Sequence, residues 1–289
     1  MGRTEITETN MKYQYLEHQL PTPDNSKLLA LVGQNKKVLE VGCALGYQSR
    51  SLKEIQHCEV TGIEIDAGAA THSGQYCEHI IVGDIETLDL GQQLHDSQFD
   101  VITFADVLEH LRNPTYTLQK VKPFLREGGY VLASIPNVAH ASVIYEMARG
   151  RFEYRSLGLL DNTHIHFFTR QSIYQTFDKA GYLIVAIDRI RVPASDTEFK
   201  TIPETTEDRQ FLEYIRQHNP ENETYQFVIK AIPVDDKKTQ QSEIIVAQEQ
   251  ILLLQLDASL NKKRIRELEW TINRPIFKFL SSFVKFFKR

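Results

Sequence analysis

Lys37-Val38-Leu39-Glu40-Val41-Gly42-Cys43-Ala44-Leu45-Gly46 is a short apolar run that ends in a glycine-punctuated turn, and a helical pattern follows it from Tyr47 to Ile55. Strand, tight turn and helix are therefore expected in direct succession. Glycines at 42 and 46 permit backbone geometry that a Cβ would obstruct, so the turn can pass close under a ligand. The helix start offers its first N–H groups to the same place. Such a turn suits a nucleotide-like cofactor.

Working outward, short apolar runs recur at Lys37 to Val41, Val60 to Ile65, His79 to Val82, Phe99 to Phe104, Gly129 to Ile135 and Leu183 to Ile190, with amphipathic segments between them. Alternation of this kind predicts an α/β fold, a Rossmann-like parallel sheet covered by helices on both faces. Pro114 fits the first turn of a helix running to about Phe124, and Gly128-Gly129 punctuates the return into the next strand. Pro193 to Glu223 is polar and acidic, with a short helix from Glu207 to Gln217. Tyr225 to Ile232 then reads as a late strand that can pair antiparallel at the sheet's far end.

The domain is expected to occupy residues 1–234. Asp235 to Ser242 reads as a linker, and Ile244, Ala247, Ile251, Leu254, Ala258, Asn261, Ile265, Leu268 and Ile272 follow alternating spacings of three and four. That seam predicts a C-terminal long helix or coiled coil within 235–273, a surface for a second copy or a partner enzyme, unless the helix packs on its own domain. Over 274–289, Ile276, Phe279, Leu280, Phe283 and Phe287 share one helical face, with Lys278, Ser282, Lys285 and Arg289 opposite. A basic amphipathic helix lying on an anionic membrane surface is expected, with a partner-docking helix as the alternative.

The 289 residues, 42% hydrophobic, suffice for a full core. Residues 236–289 hold eleven Lys/Arg and six Asp/Glu, leaving 22 basic and 32 acidic residues in the body. An acidic body argues against nucleic acid as a partner. Cys43, Cys58 and Cys77 have neither CxxC nor Cys/His spacing, so no metal site or disulfide framework is expected. Met1 to Leu20 lacks an apolar signal core and no stretch is long enough to span a bilayer. A cytoplasmic protein, peripheral at the inner membrane face, follows as the expectation.

Three acidic residues sit at the carboxyl ends of successive predicted strands, where ligands bind in open α/β sheets: Glu64, Asp84 and Asp106. A carboxylate after the second strand can accept from both ribose hydroxyls, and one after the third from an adenine amino group. Each alone also reads as a helix cap or solvated loop residue.

Together these residues resemble the class I S-adenosylmethionine-dependent methyltransferases over roughly Tyr13 to Ile232. The likeness runs through Val38 to Gly46, Gly62-Ile63-Glu64-Ile65-Asp66, Gly83-Asp84, Phe99-Asp100-Val101-Ile102, Val107-Leu108-Glu109-His110-Leu111 and Leu125-Arg126-Glu127-Gly128-Gly129. It implies a seven-stranded sheet and S-adenosyl-L-methionine as cofactor. Glu40 and the turn of Gly42, Cys43, Ala44 and Gly46 would hold the methionine part, and Glu64 with Ile65 the ribose. Asp84 and Ile85 would hold the adenine, with Ala105 and Asp106 at the end of the fourth strand. Ala44 departs from the glycine many members carry, and an adjusted loop is expected there. A nicotinamide-dependent dehydrogenase is the rival Rossmann reading, but Gly42-x-Ala44-x-Gly46 lacks the GxGxxG spacing.

Ser134-Ile135-Pro136-Asn137-Val138-Ala139-His140, Gly150-Arg151-Phe152 and Gly158 to Thr169 are similar to methyltransferases of bacterial cell-surface glycan (O-antigen and polysaccharide) biosynthesis. That resemblance implies a saccharide or saccharide-phosphate acceptor, glycan-assembly enzymes as partners, and an acceptor pocket built from Ala139 to Phe168. His140, Arg151, Tyr154 and Asp161 are the candidates for substrate binding, with Arg149, Arg155 and Phe152 beside them; arginine can grip phosphate and aromatics can stack on a sugar ring. An ordinary charged surface loop is the plainer reading. His110, His164 and His166 are the candidate general bases, because imidazole titrates near neutrality. Asp106 and Glu109 can orient a histidine or cap the following helix. Two other readings stay open: O-methylation of a small lipophilic acceptor such as a quinone precursor, and a non-catalytic scaffold at the membrane.

Overall fold

Period-two alternation along each strand divides the core between the two faces of one sheet. On β1 (Lys37–Val41) and β4 (Phe99–Ala105), Leu39 and Ile102 join one apolar cluster while Val38 and Val101 join the other. β5 (Leu125–Pro136) and β7 (Thr224–Pro233) repeat the pattern: Val131, Ala133, Phe227 and Ile229 face the first cluster, Leu132 and Val228 the second. Each cluster is closed by helices whose buried positions recur at three- or four-residue spacing. Leu118 and Val121 of helix Pro114–Val121 and Ile173 and Phe177 of helix Arg170–Lys179 cover the first. Leu28 and Val32 of helix Ser26–Val32 and Leu52 of helix Tyr47–Glu54 cover the second. The computed structural model describes residues 26–234; the expected linker, coiled coil and basic helix lie outside the described residues.

With β2 (Glu59–Glu64), β3 (His79–Val82) and β6 (Tyr182–Arg191), the seven strands run in the order β3-β2-β1-β4-β5-β7-β6. The first five are mutually parallel, whereas β7 is antiparallel to both β5 and β6. The sheet is therefore mixed rather than parallel throughout. β7 also lies inside it, not at its far end. Burial gives the reason: Gln226 to Ile229 are buried in succession, as an interior strand requires, while β6 from Val185 onward is mostly exposed or half-buried and suits an edge.

The expected helices form with small shifts. Asn113 caps the helix that begins at Pro114, accepting from the Tyr116 N–H at 3.0 Å, and a 3-10 turn carries the chain on to Phe124. Helix Thr206–His218 starts from a reciprocal Thr205/Asp208 capping box, one residue ahead of the expected start. Among the described residues no helix is long and apolar enough to cross a membrane.

The chain runs outward from β1 through β2 to β3, then returns to place β4 on the other side of β1. The resulting crevice lies beyond the carboxyl ends of β1, β2 and β4, at the point where strand order reverses. A third apolar group, Val143, Leu159 and Leu160 with Val138, Phe167, Phe199 and Tyr225, gives the segment after β5 its own small core. Asn137 holds that segment to the β7 approach, donating from Nδ2 to the carbonyls of Thr224 at 2.8 Å and Glu221 at 3.1 Å.

Candidate active site

The turn after β1 has three residues in the left-handed region: Gly42 at φ 75°, Ala44 at 46° and Gly46 at 87°. A Cβ at Gly42 would stand 2.6 Å from Val107 Cγ2, and one at Gly46 would meet Ser73 Cα at 2.8 Å. Only main chain fits. Ala44 bears the strain that glycine would avoid, of order 1 kcal/mol, and its N–H donates to Glu64 Oε2 at 2.8 Å. The Gly42 N–H donates to the Ile63 carbonyl and that of Gly46 to the Cys43 carbonyl, both at 2.8 Å. The amides of Ala44 and Gly42 are engaged by β2 and that of Gly46 within the turn, while the start of helix Tyr47–Glu54 has no side-chain cap at Gly46. Cys43 turns its thiol inward, 3.3 Å from Ser73 Oγ, so it contributes backbone to the turn.

Two carboxyls lie beneath and beside this turn. Glu40, 2% exposed, accepts from Ser49 Oγ at 2.6 Å, and burial pushes its pKa up to about 8 despite that hydrogen bond. It sits between Gly62 of β2 and Thr103 of β4 in the sheet register. Glu64, also buried, ends β2 and accepts from the Asp66 N–H at 3.0 Å as well as from Ala44. The adjacent Ile65 is 67% exposed.

Asp84 follows β3 and accepts from the Glu86 N–H at 2.9 Å, closing a short turn. Ile85, by contrast, is packed in the main core, so its side chain is not available to a ligand. Ala105 ends β4. Asp106 beyond it takes a left-handed φ of 53°, accepts from Gln226 of β7, and donates its N–H to Ser134 Oγ at 3.1 Å. Burial pushes its carboxyl up to about 7 against the hydrogen bonds from Ser134 and Gln226.

The histidines separate. His110 and His164 meet edge to face with ring centroids 4.8 Å apart, and His164 Nε2 lies 4.0 Å from Oε1 of Glu109. Glu109 is 1% exposed. The ligand-capable atoms of all three fall within 4.8 Å of one another. His166 turns elsewhere, with Nε2 3.2 Å from the Arg112 carbonyl and its ring against Phe168. From His164 a wall of rings extends through Phe167 (6.2 Å) to Phe152 (5.6 Å) and Tyr154 (6.3 Å).

The polar residues expected to grip a sugar or phosphate are occupied in other ways. His140 is fully buried and caps helix Ala141–Ala148, its ring bonded to Ser142 Oγ and the Val192 carbonyl, each at 2.8 Å; burial lowers its pKa. Arg151 forms a two-point pair with Glu146 at 2.5 and 2.9 Å, and Arg149 pairs with Asp208 at 2.5 Å. The Arg155 guanidinium lies 4.7 Å from the centre of the Phe199 ring. Asp161 is buried and closes the Thr163 turn, accepting from Thr163 N–H at 2.8 Å and Oγ1 at 2.6 Å. Tyr154, 58% exposed, is the one of the four substrate candidates that the ring wall includes.

Comparison with known proteins agrees with this geometry. The methyltransferase domain family matches residues 15–187, more than half of the chain. The chain belongs to this family.

Among relatives of this methyltransferase, a ubiquinone biosynthesis O-methyltransferase from Glaesserella parasuis serovar 5 (strain SH0165) is 36% identical over 120 residues, covering 39% of this chain and 50% of that protein. Another, from Shewanella halifaxensis (strain HAW-EB4), is 26% identical over 152 residues, covering 50% of this chain and 62% of that protein. The chain thus spans between half and about three-fifths of the length of these two relatives. A solved S-adenosylmethionine-dependent methyltransferase from Thermotoga maritima superposes with a TM-score of 0.53 at 16% identity, over 78% of this chain and 95% of that one. At that identity the likeness concerns the fold. These relatives overturn the expected affinity with polysaccharide and O-antigen methyltransferases: the kinship is with class I enzymes named for ubiquinone biosynthesis. The motifs after β5 that suggested glycan chemistry build a satellite core, a helix cap and internal ion pairs.

The crevice of this methyltransferase fits S-adenosylmethionine. The turn admits main chain alone, and Glu40 is a buried carboxyl whose charged form a neighbouring cation would favour. Glu109, which the sequence offers as a residue to orient a histidine or cap the following helix, lies beside His164. Its signal was the Glu109-His110 pair followed far downstream by His164-Ile165-His166, and no local spacing links the two.

Proposed function

We propose that this chain transfers the methyl group of S-adenosylmethionine to a phenolic oxygen of a small lipophilic acceptor of the quinol-precursor type. The observation that carries the reading is the kinship with ubiquinone biosynthesis O-methyltransferases, 36% identical in the Glaesserella parasuis case. The ring wall of Phe167, Phe152 and Tyr154 supports it, since such a surface can stack on an aromatic acceptor. Arginines committed to Glu146 and Asp208 point the same way.

In this reading Glu40 and the Gly42–Gly46 turn hold the methionine end. Glu64 accepts from the ribose hydroxyls with the lone pairs that Ala44 and Asp66 leave, and Asp84 accepts from the adenine amino group. Exposed Ile65 lies against the nucleoside. The bound cofactor supplies an electrophilic methyl carbon, so an O–C bond forms as the S–C bond breaks and the phenolic proton departs. Much of the rate then comes from alignment, which the rigid strand ends provide. The cluster of Glu109, His110 and His164 receives the acceptor's hydroxyl, with imidazole as the proton acceptor. The basic helix expected over 274–289 would keep the enzyme at an anionic membrane surface, where a lipophilic acceptor accumulates.

The test is transfer of labelled methyl from the donor to a panel of acceptors: a prenylated catechol, an unprenylated catechol, and nucleotide sugars. Labelled catechol ether, lost in Glu64→Ala, is the expected product. Label confined to the sugar fraction, or no transfer to any catechol, overturns the reading.

A further inference from the structure

We propose that Cys43 and Cys77 are a reversible oxidation site, closing to a disulfide beneath the cofactor turn and weakening S-adenosylmethionine binding. The chain has three cysteines, all of them free and buried. Two of them converge on a notch that Gly62 of β2 leaves in the sheet. A Cβ built at Gly62 would stand 2.9 Å from Cys43 Sγ and 3.1 Å from Cys77 Sγ, so both sulfurs crowd the same point and no side chain there holds them apart. Cys43 reaches it from the turn after β1, and Cys77 from the link between helix Ala67–Ser73 and β3. Cys58 faces other groups, with its sulfur 3.6 Å from the Gly33 carbonyl and 3.7 Å from that of Gln56.

The two thiols differ in character. Their mutual contact lowers the Cys77 pKa and, together with burial, raises that of Cys43, so Cys77 supplies the thiolate and Cys43 the resolving thiol. Cys77 is also the nearer to solvent, being 8% exposed and followed by exposed Glu78, against 3% for Cys43. The oxidant is hydrogen peroxide, small and uncharged. The Cys77 thiolate attacks one peroxide oxygen, the O–O bond breaks, and the departing hydroxide takes up the proton that Cys77 released, leaving water and a sulfenic acid. The Cys43 sulfur then attacks the Cys77 sulfur: an S–S bond forms as the S–O bond breaks, and the leaving hydroxyl carries off the Cys43 proton as a second water. Each sulfur gives up one electron, and the two peroxide oxygens take them up.

Closure acts on the turn because Cys43 stands between Gly42 and Ala44, whose left-handed backbone is held by the Ile63 carbonyl and the Glu64 carboxylate. A disulfide needs its sulfurs at about 2.05 Å and its Cβ atoms about 3.8 Å apart, closer than two thiols in van der Waals contact. Drawing Cys43 toward Cys77 also takes its sulfur away from Ser73 Oγ, now 3.3 Å distant, and pulls the main chain that meets the cofactor. The effect on binding rests on the reading that this turn holds the methionine end; the crosslink itself does not.

The experiment treats the reduced full-length protein with hydrogen peroxide, maps its peptides by mass without reductant, and measures S-adenosylmethionine binding by calorimetry. A Cys43–Cys77 link within one chain is expected, with Cys58 still free, and Kd should rise about tenfold and recover on adding dithiothreitol. Cys77→Ser should keep the affinity of the reduced parent and lose its sensitivity to peroxide. Linkage supplies a second readout in the unmutated protein: a cofactor that binds the dithiol form tenfold better should, at saturation, raise the midpoint potential of the pair by about 30 mV in a glutathione titration. Absence of the link in the parent protein, a link between chains in its place, or peroxide sensitivity retained in Cys77→Ser overturns the proposal. A link that leaves affinity and midpoint unchanged overturns it too, and Gly42→Ala, measured alongside, then tells whether the turn holds the cofactor at all.

Discussion

His164 Nε2 lies 4.0 Å from Glu109 Oε1, although the chain carries these residues on opposite sides of β5. Sheet topology makes the meeting possible. β4 and β5 are parallel neighbours, so the turn after one and the segment after the other emerge at the same edge. The backbone completes it, because the Glu109 carbonyl takes both the Ile165 and His166 N–H groups. Chemistry at this edge therefore depends on a clamp between segments that share no local motif.

Gly42→Ala tests the turn. The new Cβ would overlap Val107 Cγ2 at 2.6 Å and hold an L residue at φ 75°. Strain of about 1–3 kcal/mol in the bound geometry should weaken S-adenosylmethionine binding roughly tenfold or more by calorimetry. Ala44→Gly should act oppositely. It relieves the left-handed φ of 46°, and after the entropy cost of glycine a gain of roughly 0.5 kcal/mol remains, visible as a small rise in Tm.

Glu40 makes stability depend on pH. Its folded pKa of about 8 is raised above the ordinary 4.5, so the native state holds a proton that the unfolded chain has lost between these values. The stabilising contribution is complete below 4.5 and declines as pH rises toward 8. Glu40→Gln keeps a neutral group there throughout. Chemical denaturation of the variant should show a flatter profile across that window, with a gain at pH 7 of about 3 kcal/mol. An identical pH slope in both proteins would contradict the burial argument.

The fold was legible where a local rule governs it. Val38 to Gly46 states strand and turn, and carboxylates at 64, 84 and 106 fall at strand ends. The position of β7 was less legible, because pairing across the sheet is decided by long-range burial; the buried succession Gln226 to Ile229 held the clue. Which histidine Glu109 meets was hidden for a related reason: its neighbours arrive by topology. The arginines misled because composition shows charge but not partners, and Arg149 and Arg151 meet theirs only in the fold. Ile85 misled through its place next to Asp84, whereas the strand end turns its side chain into the core.

Arg189 and Glu221 fasten β6 to the turn before β7, and their removal should cost more than a surface pair. The guanidinium meets the carboxylate through Nε at 2.8 Å and Nη2 at 2.8 Å, and Thr224 Oγ1 adds a third bond at 2.7 Å. Burial alone would raise the Glu221 pKa, but these partners overcome it and lower the value. Its contribution is therefore present above the ordinary 4.5 and is lost as pH falls through the depressed folded value. Arg189→Ala leaves a buried carboxylate short of its main partner and should destabilise by about 3–5 kcal/mol in urea titration at pH 7. The deficit should shrink in acid, where Glu221 is protonated.

Acceptor choice separates two neighbouring side chains. Phe167 touches Phe152, Tyr154 and His164 at once, so Phe167→Ala opens the ring wall at its centre and removes the surface that would receive a lipophilic ring. With a prenylated catechol, KM should rise about tenfold or more while S-adenosylmethionine binding holds, since losing a buried aromatic contact costs a few kcal/mol at most. Arg151 is paired with Glu146 and is 42% exposed along its side chain. Arg151→Ala should leave KM for the same acceptor within about twofold, as removal of an exposed ion pair is worth 0–1 kcal/mol. The reverse ranking, with Arg151 decisive and Phe167 dispensable, would mean that an anionic group rather than an aromatic face is what the enzyme holds.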